Sequence, residues 1–427
     1  MKTAPSEPAP AAPKSGRLLQ SDLIFSAVSF ATGLGNLAFQ GVMARHLKEQ
    51  GQYGNANSAL NAMIPLLGLL PSIASLAVTH YIAHFTSCGD HARLQGLLAG
   101  CRKFLIRLTL AGSAVAVVAI KPLSHFFGYH ETLMLTTLAC SLISLWASLG
   151  CALCQGFAWF KRLAFIGFLS MLARLCFGWF VTLKWPSPET AVLATAFSML
   201  AYALLFLWKR DLKANPGQAI SPWNHEFVYY LVTSAACVCG GYFFLQGDLL
   251  VAKKFLTNSQ NDAYNCAERL AAALPMTVSP LLIVLFTSRS GARAGNIVGE
   301  QLKLLGLYVS GLLCGAGLLY VLRGLCVRII LGRSSPEAEA MIGQLALVMV
   351  FAGLLQSLAL WSLASRWSKI CLLYGALGIV YWLTLLAFGK SPAALLHTML
   401  VSAGLACGVV VIFWLITMHR HRHSVRG

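Results

Sequence analysis

About twelve stretches of mainly apolar residues, each near the ~20 that cross a bilayer as a helix, run through the chain. They centre on Asp22–Met43, Asn57–His84, Phe104–Ile120, Thr132–Phe157, Leu163–Leu183, Ala191–Trp208, Phe227–Leu250, Ala263–Phe286, Leu304–Leu322, Met341–Leu363, Cys371–Phe388 and Ala394–Met418. In hydrocarbon the backbone meets no water, so each stretch must pair its N–H and C=O groups internally. That predicts an all-α polytopic membrane protein with about twelve transmembrane helices. Composition agrees: 57% of residues are hydrophobic and 11% charged, against ~25% charged in an average soluble domain. A soluble enzyme is excluded, and so is a disulfide-stapled or disordered chain. The gaps between stretches are short, and none holds a further domain.

Charge sets the orientation, because Lys and Arg gather on the cytoplasmic flanks of spans. With the N-terminus inside, twenty of the 32 Lys and Arg fall on inner segments and ten on outer ones, while Arg174 and Arg269 lie within spans. Both termini are therefore expected in the cytoplasm, and the chain in a cell inner membrane. Residues 1–18, rich in Pro and Ala, read as a disordered tail. Two six-span halves, 19–208 and 227–418, are joined by a cytoplasmic linker at 209–226, and 419–427 form a basic tail. The net charge of +18 needs no nucleic acid, because most of it anchors the inner face to anionic lipid headgroups. Most of the 13 cysteines sit in apolar spans, where free Cys acts as a small hydrophobe. Cys151 and Cys154 have metal or redox spacing but no partner pair nearby in sequence, and the His419–His423 cluster reads as a lipid-facing tail. Neither a metal nor another cofactor is expected, and there is no Walker loop for nucleotide hydrolysis.

The chain also repeats itself. Phe39-Gln-Gly-Val-Met-Ala-Arg-His-Leu47, followed by Tyr53-Gly-Asn, is echoed by Leu245-Gln-Gly-Asp-Leu-Leu-Val-Ala-Lys-Lys-Phe-Leu256, followed by Tyr264-Asn. The offset lies between about 206 and 211 residues, half the chain. Each copy ends a span, crosses an outer loop and enters a polar-headed helix holding two prolines: Pro65 and Pro71 in the second span, Pro275 and Pro280 in the eighth. A proline removes a backbone hydrogen bond and kinks a helix. Paired interruptions in two halves point to the helices that line a transport path. The four prolines are candidate hinges, with kinks that only shape packing as the alternative. Six spans per half, an even number, make two parallel bundles related by an axis along the membrane normal.

The residues around these repeats carry a resemblance. Gly35-Asn36-Leu-Ala-Phe-Gln-Gly-Val-Met-Ala-Arg45 with Tyr53-Gly54, and Gly247-Asp248-Leu-Leu-Val-Ala-Lys-Lys-Phe-Leu256 with Tyr264, resemble the openings of the two halves of polysaccharide and O-antigen flippases. Those flippases belong to the multidrug/oligosaccharidyl-lipid/polysaccharide exporter superfamily. The resemblance implies two six-helix bundles around a central cavity that flips a lipid-linked sugar outward. A span count near twelve sets the chain apart from the fourteen-span lipid II flippases.

Ionisable side chains at mid-membrane cost roughly 2.5–3.5 kcal/mol on insertion scales, so each marks a partner or a wet cavity. Arg174, near the middle of the fifth span, is the leading substrate-binding candidate, since a guanidinium can grip a diphosphate with two parallel hydrogen bonds. A structural pair with an acid or with backbone carbonyls is the alternative, though no mid-span acid is obvious. The eighth span carries Asn265, Glu268 and Arg269 on one broad face, and the second span answers with Asn57, Ser58 and Asn61. Arg269 and Asn61 are expected to line the outer half of the cavity; a hydrated interfacial helix start is the alternative. Asn36 and Gln40 share a face of the first span and join the binding candidates, with interhelical hydrogen bonding equally able to explain them. Asp248 and Glu268 are candidate ion-coupling groups, and for Asp248 a shallow salt bridge with Lys253 or Lys254 is the competing expectation.

The reading that gathers these features is a non-enzymatic flippase for a polyprenyl-diphosphate-linked oligosaccharide. Its partners would be that lipid-linked sugar, anionic membrane lipids, and glycosyltransferases or a polymerase of the same pathway. A cation-coupled drug exporter of the same superfamily stays open. A membrane polymerase or ligase fits less well, because such enzymes are expected to carry a large outer loop.

Overall fold

The computed structural model describes residues 15–47, 49, 51–208, 225–291 and 298–426, and among them every regular element is helical. The first span is α1 (Ser15–His46). The second is assembled from α2 (Gln52–Ser58), a π-helical turn (Ala59–Met63), α3 (Ile64–Leu67) and α4 (Leu69–Cys88). Helices α5 (His91–Phe127), α6 (Glu131–Gly156), α7 (Phe160–Lys184) and α8 (Pro188–Trp208) complete the first half. In the second half α9 (His225–Leu245) and α10 (Gly247–Phe255) share the seventh span. There follow α11 (Asn258–Gly291), α12 (Val298–Val321), a short outer helix α13 (Arg323–Leu331), α14 (Pro336–Ala364), α15 (Ser368–Phe388) and α16 (Pro392–Arg426).

Each of the twelve predicted stretches falls on helix, and α13 is an addition within an outer loop that the sequence reading left without structure. Among the described residues, eight helices are long and apolar enough to cross a membrane, and the bent second span makes a ninth. Helices α1, α8 and α11 bring the spans to twelve. Large apolar side chains stand bare on the outside: Val118 is 80% exposed and Phe180 72%. Such a belt is stable only against lipid. The chain is a multi-pass membrane protein.

The repeat is visible in the packing. In the first half α1 lies against α7, α4 against α6, and α6 against α8. In the second half the equivalent pairs form: α9 against α15, α11 against α14, and α14 against α16. Across the halves the pairing is exchanged, with α1 meeting α11 and α4 meeting α9. That exchange is the signature of a two-fold axis between them. Gly311 and Gly315 let α12 close on Val278 and Leu274 of α11, whereas Gly408 faces open space.

The four prolines are not equivalent, which corrects the expectation of paired kinks. Of the two proline-bearing spans only the second is broken, bending by 60° between Leu67 and Leu69. Pro65 has no N–H to offer the Asn61 carbonyl, and the turn before it opens into the π-helix. Pro71 sits in the first turn of α4, beyond Gly68, where helix N–H groups lack intrahelical partners anyway. In the eighth span α11 runs unbroken through Pro275 and Pro280. There the Ser279 hydroxyl donates to the Met276 carbonyl at 2.8 Å, the carbonyl that Pro280 leaves unpaired.

The two proline substitutions should therefore separate. Pro65→Ala restores an N–H, closes the π-turn and swings Asn61 away from its present direction. Pro275→Ala leaves α11 as it is. Transport per inserted molecule should fall about tenfold for the first, the worth of one misplaced contact of ~1.4 kcal/mol, and change little for the second. Equal effects of the two would show that the π-turn has no special role.

Candidate functional site

A cavity of about 440 Å³ lies between α1, the π-turn, the inner ends of α6 to α8, and α11. Asn36, Gln40, Asn61, Arg174 and Arg269 all line it, so the five predicted binding residues converge from four spans on one space. Toward the face where Lys and Arg gather, the lining continues through Gln155, Leu163, Tyr202, Thr277 and Ser279. The cavity is polar near the middle of its helices and extends toward that basic face.

Among the described residues, Arg174 meets neither an acid nor a backbone carbonyl. Its Nη1 donates to Asn36 Oδ1 at 3.3 Å, and its guanidinium carbon stands 4.3 Å from the centre of the Phe39 ring. Its Nε is buried without a partner. A neutral amide and an aromatic face orient the group without cancelling its charge. The other arginine differs. Arg269 forks onto its neighbour Glu268, Nε to Oε2 and Nη2 to Oε1, both at 2.5 Å. Glu268 is fully buried and Arg269 only 4% exposed, which rules out the hydrated helix start. The cavity thus holds one neutralised arginine and one uncompensated arginine, a net cationic space.

Glu268 is consequently a charge partner for Arg269. Removing one member of a buried ion pair strands the other, at a cost of about 3 kcal/mol or more. Glu268→Gln should lower the unfolding midpoint in detergent by several degrees while Arg269→Met with Glu268→Leu together recovers part of it. Unchanged melting of Glu268→Gln would show that the pair contributes nothing.

Asp248 departs from the shallow salt bridge. It is fully buried and accepts from the Tyr264 hydroxyl at 2.5 Å, while its Oδ1 has no partner. Lys253 and Lys254 lie instead over the rings of Tyr129 and Phe126 on the first half. Asp248 does not line the cavity.

At its other end, away from the basic face, the space is sealed where the two halves meet. Asn57 donates to Asn265 at 2.7 Å, and Asn61 in turn donates to Asn57 Oδ1 at 2.7 Å. The Asp262 carboxylate of α11 accepts the backbone N–H groups of Gly51 at 2.8 Å and Gly54 at 2.7 Å. It caps the N-terminus of α2 from the opposite half, where orphan N–H groups and the helix dipole favour a negative charge. Gly51 takes the left-handed conformation at φ 84°, and a side chain on Gly54 would strike Asn261 and Asp262. Tyr242 adds a bond to the Ala62 carbonyl at 3.1 Å. The separations of the Asn57–Asn265 and Gly54–Asp262 pairs, 208 residues each, and of Gly51–Asp262, 211 residues, fall within the range of the repeat's offset. The corresponding helix starts of the two halves thus meet each other at Asn57 and Asn265.

Sequence reasoning missed Phe39, Gln155, Tyr202 and Asp262. The first three carry no charge and look like ordinary span residues. Asp262 had a signal: it precedes Tyr264 in the repeat, opposite the glycines beside Tyr53.

No protein-family model matches the chain, and no curated protein matches it. Solved structures do. An inward-facing multidrug resistance MATE family transporter of the MOP superfamily superposes with a TM-score of 0.65 at 13% identity, over 94% of this chain and 99% of that one. An outward-facing structure of a MATE family transporter gives 0.66 at 12% identity, over 97% and 100%. A mutant of the Vibrio cholerae MATE transporter VcmN gives 0.65 at 13% identity, over 95% and 98%. The chain has the fold of the MATE transporters over at least 94% of its length.

Proposed function

We propose that this protein is a membrane transporter that moves a polyprenyl-diphosphate-linked oligosaccharide from the cytoplasmic to the outer leaflet by alternating access. The observation that carries the reading is Arg174, an uncompensated guanidinium inside a mid-membrane cavity. An anionic headgroup entering from the inner side replaces cavity water with charge-assisted hydrogen bonds. Its outward passage in a cell with a negative interior is favoured by ~2.3 kcal/mol per charge per 100 mV. The amides of Asn36, Gln40 and Asn61 then face the sugars. The outer seal at Asn57, Asn265 and Asp262 keeps the cavity closed to the far side until the halves rock. Anionic lipids at the basic inner face, and glycosyltransferases or a polymerase that make and use the cargo, are the partners this reading calls for.

The second reading is a cation-coupled multidrug exporter, supported equally by the neighbours' fold and favoured by the buried carboxylate of Asp248 with its free Oδ1. Purified protein in vesicles separates the two. Labelled lipid-linked sugar that changes leaflet without chemical change supports the flippase. Exchange of organic cations against protons or sodium, with the lipid-linked sugar left in place, supports the exporter. A chemically altered product would make the protein an enzyme and overturn both.

A further inference from the structure

His80 lies on α4 in the inner third of the second span and is 3% exposed. Neither ring nitrogen has a hydrogen-bond partner. Its ring stacks on Tyr230 of α9, with centroids 4.3 Å apart and planes within 21°. This contact joins the two halves on the inner side of the membrane. One turn further toward the inner end, the half-buried His84 ring lies parallel to it at 6.4 Å. Nothing in the cavity or the outer seal uses this cluster.

A histidine packed face to face with a tyrosine, with no acceptor for either nitrogen, is seated as a neutral imidazole. The groups that bear on it electrostatically are the Arg366 guanidinium on the turn between α14 and α15, and His84; among the described residues no carboxylate does so. Tyr81 and Tyr230 present rings, and the α6 contact nearby is the Thr79 hydroxyl on the Ala152 carbonyl. A second proton on the ring creates a donor with no acceptor beside a guanidinium, which the stack cannot hold. Directly alongside, a cavity of about 290 Å³ is lined by Tyr81, Tyr230, Glu226, Thr233 and Arg366. A charged ring that leaves the stack finds there the Glu226 carboxylate, which offsets the Arg366 guanidinium, and the Thr233 hydroxyl.

We propose that His80 is a proton-binding site, reached from the inner face through His84, whose loading separates α4 from α9 and so biases the rocking of the two halves. The proposal rests on the alternating-access reading but not on any cargo. Histidine is the side chain whose charge ordinarily changes between about pH 5 and about pH 8. One proton shifts a two-state equilibrium by at most about tenfold per pH unit.

The test is a distance measurement on the full chain in vesicles. Spin labels carried by unnatural residues at Thr86 and Val228, both exposed, report the α4–α9 separation from about pH 8 to about pH 5. The wild type should gain a longer-distance population as pH falls, approaching about tenfold per unit. His80→Phe keeps the stack and cannot titrate, so its distances should stay short throughout. His80→Gln, the second variant should phenylalanine fail to insert, should also be pH-independent. His84→Phe should reach the wild-type end point more slowly. A wild type indifferent to pH, or a His80 variant that responds like the wild type, overturns the proposal. Because no cargo is present, neither result touches the assignment of Arg174.

Discussion

On the flippase reading, Arg174→Ala should relocate labelled lipid-linked sugar at about one-tenth to one-hundredth of the wild-type rate, the loss expected when a hydrogen-bonded charge worth about 1.5–3 kcal/mol is removed. The geometry explains why the loss is that large. Asn36 and the Phe39 ring hold the guanidinium in place but supply no charge, so no other described group takes over its work at this depth. Arg269 cannot, being committed to Glu268. Arg174→Lys keeps the charge and loses the planar fork, and falls between the two. The readout is leaflet relocation in vesicles at equal protein insertion. An alanine variant that relocates cargo at the normal rate makes Arg174 a structural residue and removes the main support for an anionic cargo.

The second large effect is expected at the outer seal. Asp262→Ala deprives α2 of two backbone hydrogen bonds to a carboxylate, together about 3 kcal/mol, or roughly a hundredfold in the closed-to-open ratio. Cys266, fully buried beside this seal, is a native reporter. Its rate of modification by a membrane-impermeant thiol reagent added outside, read by peptide mapping, should rise toward that factor. Gly54→Leu should do the same by a different route, since its side chain strikes Asn261 and Asp262. Asp262→Asn keeps an acceptor without the charge and should lie in between. If Cys266 is modified no faster in either Asp262→Ala or Gly54→Leu, the seal is held elsewhere.

Much of the site was open to sequence reasoning because its residues break a strong local rule. Arg174, Arg269, Asn36, Gln40 and Asn61 stand out against apolar surroundings, and a polar group in a membrane must face either a partner or a wet space. That argument finds the residues without knowing which of the two each faces. It could not tell that Arg269 is neutralised by Glu268 while Arg174 is not, since the choice depends on side-chain rotamers and on which helix stands opposite. The competing expectation for Asp248, a salt bridge with the nearby lysines, fails for a related reason. Two lysines a turn away look like partners along one helix, yet packing turns them onto rings of the other half and seats the carboxylate on Tyr264.

Hydropathy, charge and repetition are properties of the chain read locally or against itself. They determined the helical class, the spans, the expected orientation and the two-fold relation of the halves before any contact was known. The repeat also pointed to the two polar helix starts that meet at Asn57 and Asn265, because a two-fold axis brings corresponding segments together. The tertiary structure alone decided where that symmetry fails. Pro65 and Gly68 break the second span while Ser279 sustains the eighth across Pro280. Asp262 caps α2 across the interface, and His80 is shut against Tyr230 with no partner for its nitrogens. Each of these depends on which atoms of distant segments compete for one hydrogen bond or one volume, and only packing settles that competition.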